Sequence, residues 1–341
     1  MAFYTRPANW SGDPILQVLS RPAEHADAAT PDYVAHVLTA GGTTAVAVAG
    51  DGSCWLCSPN GQRAPLAMQA QQVRTVRGGL FFAGHGSLGV WDATTWQPLH
   101  QVATQCAINR LIATARSAVV ETPTCELVRV DLTTGQHDVL PWLFADEREQ
   151  PLLSFCCDDE GRWLAAVHPN MARIWDLASP IPASEPLATI AIAESYGGFV
   201  QFLRDQLFVY GITDGWQVLD PTSGQAVGSW PIGVDPREPL TTGLGGTAIA
   251  CLQGTTLAVV AAATGSPLYG FDVGPMENVS LSADERLLVG WCDTELAVWD
   301  VATGAVVGRW HEADRIRNAQ VDGAIVTFVD PSDHLIFLSI P

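Results

Sequence analysis

The chain has 341 residues, 48% of them apolar and 16% charged, with a formal net charge of −19 and a pI near 4.6. That charge argues against phosphate backbones and anionic lipid surfaces as partners, and leaves basic proteins, cations or simple solubility. The length exceeds what one ordinary hydrophobic core supports, so the chain either divides into domains or grows by repetition.

All 17 basic residues are arginine. Codon bias in a GC-rich, prokaryotic genome accounts for this; selection against lysine modification is the sharper alternative. Eight cysteines are present: Cys54, Cys57, Cys106, Cys125, Cys156, Cys157, Cys251 and Cys292. Most lie in apolar, strand-like runs, where a free thiol behaves as a small hydrophobe. Met1 to Trp10 is mixed and short and does not read as a signal sequence. No run approaches the length of a membrane-spanning helix. The expected location is reducing and cytoplasmic.

In chain order, the first element is a short apolar strand over residues 14–19, stopped by Arg21-Pro22. From about Asp32 a repeated turn sets the rhythm. Strands end at Cys57, Asp92, Asp131, Asp176, Asp220, Ala261 and Asp300, between 35 and 45 residues apart. The clearest copies are Asp131-Leu132-Thr133-Thr134-Gly135, Asp220-Pro221-Thr222-Ser223-Gly224 and Asp300-Val301-Ala302-Thr303-Gly304. The aspartate can accept hydrogen bonds from backbone N–H groups just ahead of it, and the glycine supplies positive φ. An aromatic follows six residues after the glycine in three copies, at Trp230, Phe271 and Trp310. No stretch sustains a 3.6-residue apolar stripe, so helices should be nearly absent. After the seventh repeat, three more strands are expected at 318–321, 325–329 and 334–340.

A period of about 40–45 residues is that of four-stranded propeller blades. Two segments carry a family likeness. Leu153 to Ala166 running on to Trp175-Asp176, and Val279 to Gly290 running on to Trp299-Asp300, resemble WD-repeat blades. In that family a polar turn of the Asp-Gly-Arg type joins the first two strands, and Trp-Asp closes the third. Trp91-Asp92 is the third copy. The other repeats are degenerate, and the Gly-His dipeptide expected early in each is missing. A quinoprotein-like propeller is the runner-up, since its blades also carry Asp-x-x-Thr-Gly turns and tryptophans.

The expected fold is therefore an all-β single domain over residues 1–341: a β-propeller of eight four-stranded blades, with seven as the alternative. Residues 32–313 form seven blades and residues 314–341 give three strands of the last. The strand at 14–19 supplies its fourth, closing the ring and hiding both edges.

No catalytic constellation stands out. Cys54-Trp55-Leu56-Cys57 falls on a strand, which points the two thiols to opposite faces rather than toward one metal. Nothing basic lies near Cys156-Cys157 to activate either. His85-Gly86-Ser87-Leu88-Gly89 lacks the first glycine of a nucleophile elbow. The eight histidines show no ligand spacing, and no cofactor is expected. The acids are more informative. Inter-blade loops carry Asp146, Glu147, Glu149, Glu194, Asp235, Glu238, Glu277, Glu312 and Asp314. Hairpins between second and third strands, on the same face, add Asp51, Asp214 and Asp293, where turn chemistry is reason enough. Two insertions, 144–151 and 179–186, lengthen loops on a rigid ring, where recognition is commonly placed.

These observations point to a protein-interaction platform or scaffold with an acidic loop face, a monomer or part of a hetero-complex. Its partner would be a protein with a basic surface, and an inhibitor- or immunity-like role is the narrower form. The alternative is an enzyme with an axial active site, such as a hydrolase, lyase or quinone-dependent oxidoreductase.

Overall fold

In the computed structural model the strands form eight four-stranded antiparallel sheets, arranged as an eight-bladed β-propeller, with no helix among the described residues. The structure describes residues 14–20, 33–39, 43–76, 79–84, 87–92, 94–103, 110–113, 117–121, 127–132, 134, 136–140, 153–158, 160–178, 186–192, 199–203, 206–213, 215–230, 240–242, 247–253, 255–261, 266–274 and 276–341. Blades 1 to 7 span residues 33–69, 72–103, 110–139, 154–191, 199–230, 240–272 and 278–311. In each, the four strands follow one another in sequence from innermost to outermost. Blade 8 is Arg317–Asp322, Ile325–Val329 and Leu335–Ser339, with Gln17–Ser20 as its outermost strand. By contacts the chain groups into two compact units. One comprises residues 1–73, 237–262 and 266–341 and holds blades 1, 6, 7 and 8. The other comprises residues 74–236 and 263–265 and holds blades 2 to 5.

The core of each unit is a series of layers between successive blades. In the first unit Leu257, Val259, Leu288 and Trp299 fill the layer between blades 6 and 7. Val298, Ile316, Phe328 and Leu338 fill the next, and Tyr33, Ala47, Leu335 and Phe337 lie between blades 8 and 1. In the second unit Val120 and Val130, then Leu164 and Trp175, then Ile174 and Leu207 do the same work. A middle strand is thus covered on both faces, which is why Ala45–Ala49 and Trp163–His168 are buried at every position. An outermost strand has no such cover: His137–Val139 is exposed throughout and Ala188–Ala191 alternates. The apolar runs and the alternating runs of the sequence are the middle and outer strands of one unit of architecture.

The repeated turn has the chemistry its residues suggest. In blade 7 the Thr303 N–H and hydroxyl donate to Asp300 Oδ1 at 2.9 and 2.8 Å, and the Gly304 N–H donates to the Asp300 carbonyl at 2.8 Å. Gly304 has φ +66°. Blade 5 repeats this, with the Thr222 N–H on Asp220 Oδ1 at 2.8 Å and Gly224 at φ +66°. In blade 2 the N–H groups of Thr94 and Thr95 donate to Asp92 Oδ1 at 2.8 and 2.6 Å, but the left-handed position is filled by Trp96, at φ +57°. Trp91, Trp175 and Trp299, which precede Asp92, Asp176 and Asp300, are buried, and Trp299 sits in the layer between blades 6 and 7, 6.3 Å from the Phe271 ring.

The N-terminal strand does close blade 8. Gln17 pairs with Ser339 and Val18 with Leu338, and the register then shifts so that Ser20 meets Phe337. Pairing begins at Gln17 rather than Pro14. Residues 14–16 instead run alongside the outer strand of blade 7. There the Arg309 N–H donates to the Pro14 carbonyl at 2.9 Å, the Leu16 N–H donates to the Arg309 carbonyl at 3.0 Å, and Ile15 bridges Arg309 in parallel. Proline has no N–H to offer a ladder, but its carbonyl accepts. Leu16 is buried against Gly308, where an added Cβ would stand 2.3 Å from Leu16 Cδ2. The segment therefore ties blade 7 to blade 8.

Candidate functional site

Within the first unit, blades 7 and 8 leave a cleft of about 290 Å³ on the face that carries the inter-blade loops. Its blade 7 wall begins at Glu277, whose N–H donates to the Trp291 carbonyl at 3.0 Å, setting the acid and the indole at the mouth of the same pair of strands. Asn278 pairs with Trp291 across the sheet. Beyond Trp291 the chain turns through Cys292 and Asp293, closed by the Cys292 N–H on the Glu295 carbonyl at 2.9 Å. The blade 8 wall is Arg315 to Asn318. It is fixed by the Ile316 N–H on the Asp293 carbonyl at 2.6 Å and by burial of the Ile316 side chain in the layer beneath.

The charges in the cleft differ in how they are used. Arg317 is committed: its guanidinium pairs with Asp333 and donates to the Asp330 carbonyl at 3.0 Å. Arg315 pairs with Asp293 at 3.5 Å, but with 71% and 67% of the two side chains exposed this contact is weak. The Glu277 carboxylate is exposed and has no hydrogen-bond or ion-pair partner among the described residues.

The acids expected to form the loop face fall into three groups. Glu277 and Asp314 are exposed at the junction of blades 7 and 8, Asp314 accepting the Arg315 N–H at 2.8 Å. Glu312 is buried, with Oε2 receiving the Trp310 indole N–H at 3.4 Å and Oε1 the Ala313 N–H at 3.1 Å. Asp146, Glu147, Glu149, Glu194, Asp235 and Glu238 lie outside the described residues, as do the 144–151 insertion and all of 179–186 except Pro186. Of the hairpin acids, Asp51 is held below the usual carboxylate range first by the Ser53 hydroxyl and then by the Ser53 N–H, which donates to Oδ1 at 2.8 Å; this is turn chemistry. Asp214 lies outside the described residues. Asp293 faces the cleft. Sequence reasoning passed over Trp291, Arg315 and Arg317, because nothing linear joins Trp291 to residues two dozen positions ahead.

Four of the described thiols are held in the protonated form. Burial pushes Cys54 up to about 11 and raises Cys57, whose Sγ lies 3.6 Å from the Tyr33 hydroxyl. Burial likewise raises Cys156 and Cys157. Raised thiols are poor nucleophiles at neutral pH. Among the described residues no three His, Cys, Asp or Glu gather to hold a metal, and no helix is long and apolar enough to cross a membrane.

No protein-family model and no curated protein matches the sequence. Solved structures do match the fold. The computationally designed Ika8 protein superposes with a TM-score of 0.63 at 15% identity, covering 96% of this chain and 100% of that one. The β-propeller domain of Cps50 (Swd1) from Myceliophteria thermophila superposes with a TM-score of 0.54 at 12% identity, again covering 96% and 100%. At these identities the likeness is one of fold alone.

Proposed function

We propose that this propeller is a protein-interaction platform whose inter-blade loop face receives a protein with a basic surface, and that it is a divergent WD-repeat propeller. Trp91-Asp92, Trp175-Asp176 and Trp299-Asp300, each a buried indole followed by a turn aspartate, support the family reading. The observation that carries the functional reading is the pair of exposed acids at the junction of blades 7 and 8. Glu277 has no internal partner among the described residues, and Asp314 serves only its own loop. A net charge of −19 adds long-range attraction for a basic partner, which steers encounter more than it adds affinity.

The absence of lysine makes a direct test possible. A carbodiimide joins carboxylates to amines, so in the presence of an oligolysine peptide almost every cross-link must run from an acid of this chain to the peptide. Cross-links are expected to concentrate on Glu277, Asp314 and the loop acids Asp146, Glu147, Glu149, Glu194, Asp235 and Glu238. They should fade at high salt, as the Debye length falls from about 10 Å at 0.1 M toward 3 Å at 1 M. Cross-links spread evenly over exposed acids, with Asp138 and Asp272 as reactive as Glu277, would overturn the reading.

A further inference from the structure

We infer that the cleft between blades 7 and 8 is the seat of a single arginine side chain from the partner, with the guanidinium on Glu277 and Trp291. This rests on the interaction reading above and names the chemistry of one contact within it. The argument is one of complementarity. The cleft holds two formal positive and two formal negative side chains, but they do not cancel evenly. Arg317 is spent on Asp333 and the Asp330 carbonyl, and Arg315 is satisfied, weakly, by Asp293. What remains without a partner among the described residues is one carboxylate, at Glu277, beside a partly buried indole. A cation completes that set, and an anion would meet an unpaired carboxylate.

Three features favour a guanidinium over an ammonium. Its plane stacks on an aromatic ring, its fork of N–H donors meets a carboxylate in two places, and it gives up hydration more readily. The Asn278 side chain is exposed at the same mouth and offers an amide oxygen to any remaining N–H. Size points the same way. At about 290 Å³ the cleft lies at the lower edge of small-molecule sites, room for one long side chain and its flanking backbone rather than for a cofactor. The exposed Arg315–Asp293 pair can open at little cost, so an arriving guanidinium can also reach Asp293.

The test uses the full chain, labelled with ¹⁵N, and capped tripeptides Gly-Arg-Gly, Gly-Lys-Gly and Gly-citrulline-Gly. Trp291→Phe identifies the Trp291 indole N–H resonance. The arginine peptide should move that resonance with a millimolar dissociation constant, the lysine peptide should bind at least fivefold more weakly, and the citrulline peptide should leave it in place. Glu277→Gln, at an exposed position, should weaken the arginine peptide about fivefold, while Asp138→Asn should change nothing. A stationary Trp291 resonance, citrulline binding equal to arginine, lysine equal to arginine, or no effect of Glu277→Gln would each overturn the assignment. The two proposals fail separately. Oligolysine cross-links on the loop acids with no tripeptide in the cleft would remove only the arginine seat. Tripeptide binding without preferential cross-linking would keep the cleft and remove the wider acidic face.

Discussion

Trp96 occupies, at φ +57°, the turn position that blades 5 and 7 give to Gly224 and Gly304. A left-handed conformation costs a residue with a Cβ roughly 1–2 kcal/mol. Trp96→Gly should therefore raise the urea midpoint, by less than that full amount because a partly buried indole is lost. Gly304→Ala should destabilise by roughly 1–2 kcal/mol or more and so lower the midpoint, since the new Cβ would also stand 3.2 Å from the Phe271 ring. Midpoints that move together would contradict the turn argument. The turn aspartates were legible at this scale, because their duty is local and the acceptor and donors lie within a few residues. Glu312 was not. Its neighbour two positions back on a strand is Trp310, on the same side, and a nearly buried indole N–H needs an acceptor. That signal was available, but it carries no weight until the strand is known to continue to His311.

At the scale of elements, the segment from Pro14 to Ser20 belongs to two blades at once. Leu16→Ala should destabilise by roughly 2–5 kcal/mol, as for other buried leucines. Gly308→Val should do comparable harm by filling the place where Leu16 sits. Because both changes unseat the same segment, the double variant should be little worse than either alone. Hydrogen exchange should show the loss first at Val306–His311 and Leu335–Ser339. Additive effects, or exchange spread over all blades, would refute the shared seat. On the other side of blade 8, Gln320 joins two innermost strands that have no ladder between them. Its Oε1 accepts the Leu38 N–H at 2.7 Å and its Nε2 donates to the His36 carbonyl at 3.0 Å. Gln320→Leu leaves both backbone groups of blade 1 unsatisfied and should cost roughly 1–3 kcal/mol per buried group, read from the shift in urea midpoint. The closing strand was legible as an apolar run with nothing else to pair with. Its register was not, since Ile15 and Leu16 look like strand residues of blade 8 until Arg309 is seen beside them.

For the whole molecule, the period of the turns gave seven blades, and the eighth was legible only from three further C-terminal strands and one N-terminal strand left to pair with them. The cleft was largely illegible because it is made where one repeat ends and the next begins, from residues with no common motif. The blade 8 to blade 1 junction also carries a pH signature. His36 is buried, bonded through Nε2 to the Thr327 hydroxyl at 3.1 Å, and burial holds its imidazole down at about 4. The unfolded chain takes up that proton near pH 6.5 and the folded chain only near 4. Stability should therefore be full above pH 6.5 and fall between 6.5 and 4, by on the order of 3 kcal/mol. The turn aspartates Asp92 and Asp220 are held low by backbone N–H groups, so their contribution is lost only as the pH falls further. His36→Gln should flatten the upper window and leave the lower one, and an unchanged slope from pH 6.5 to 4 would refute the assignment. The pairing of Gln17–Ser20 with Leu335–Ser339 also orders events in time. The ribosome makes residues 17–20 before the partner strand by more than three hundred residues. The part of this sequence that emerges early is thus among the last to be placed. Until then blade 8 presents the bare edge of Leu335–Ser339, an apolar template on which another copy's strand could lie. The waiting strand is a hazard during synthesis as well as a lock afterwards.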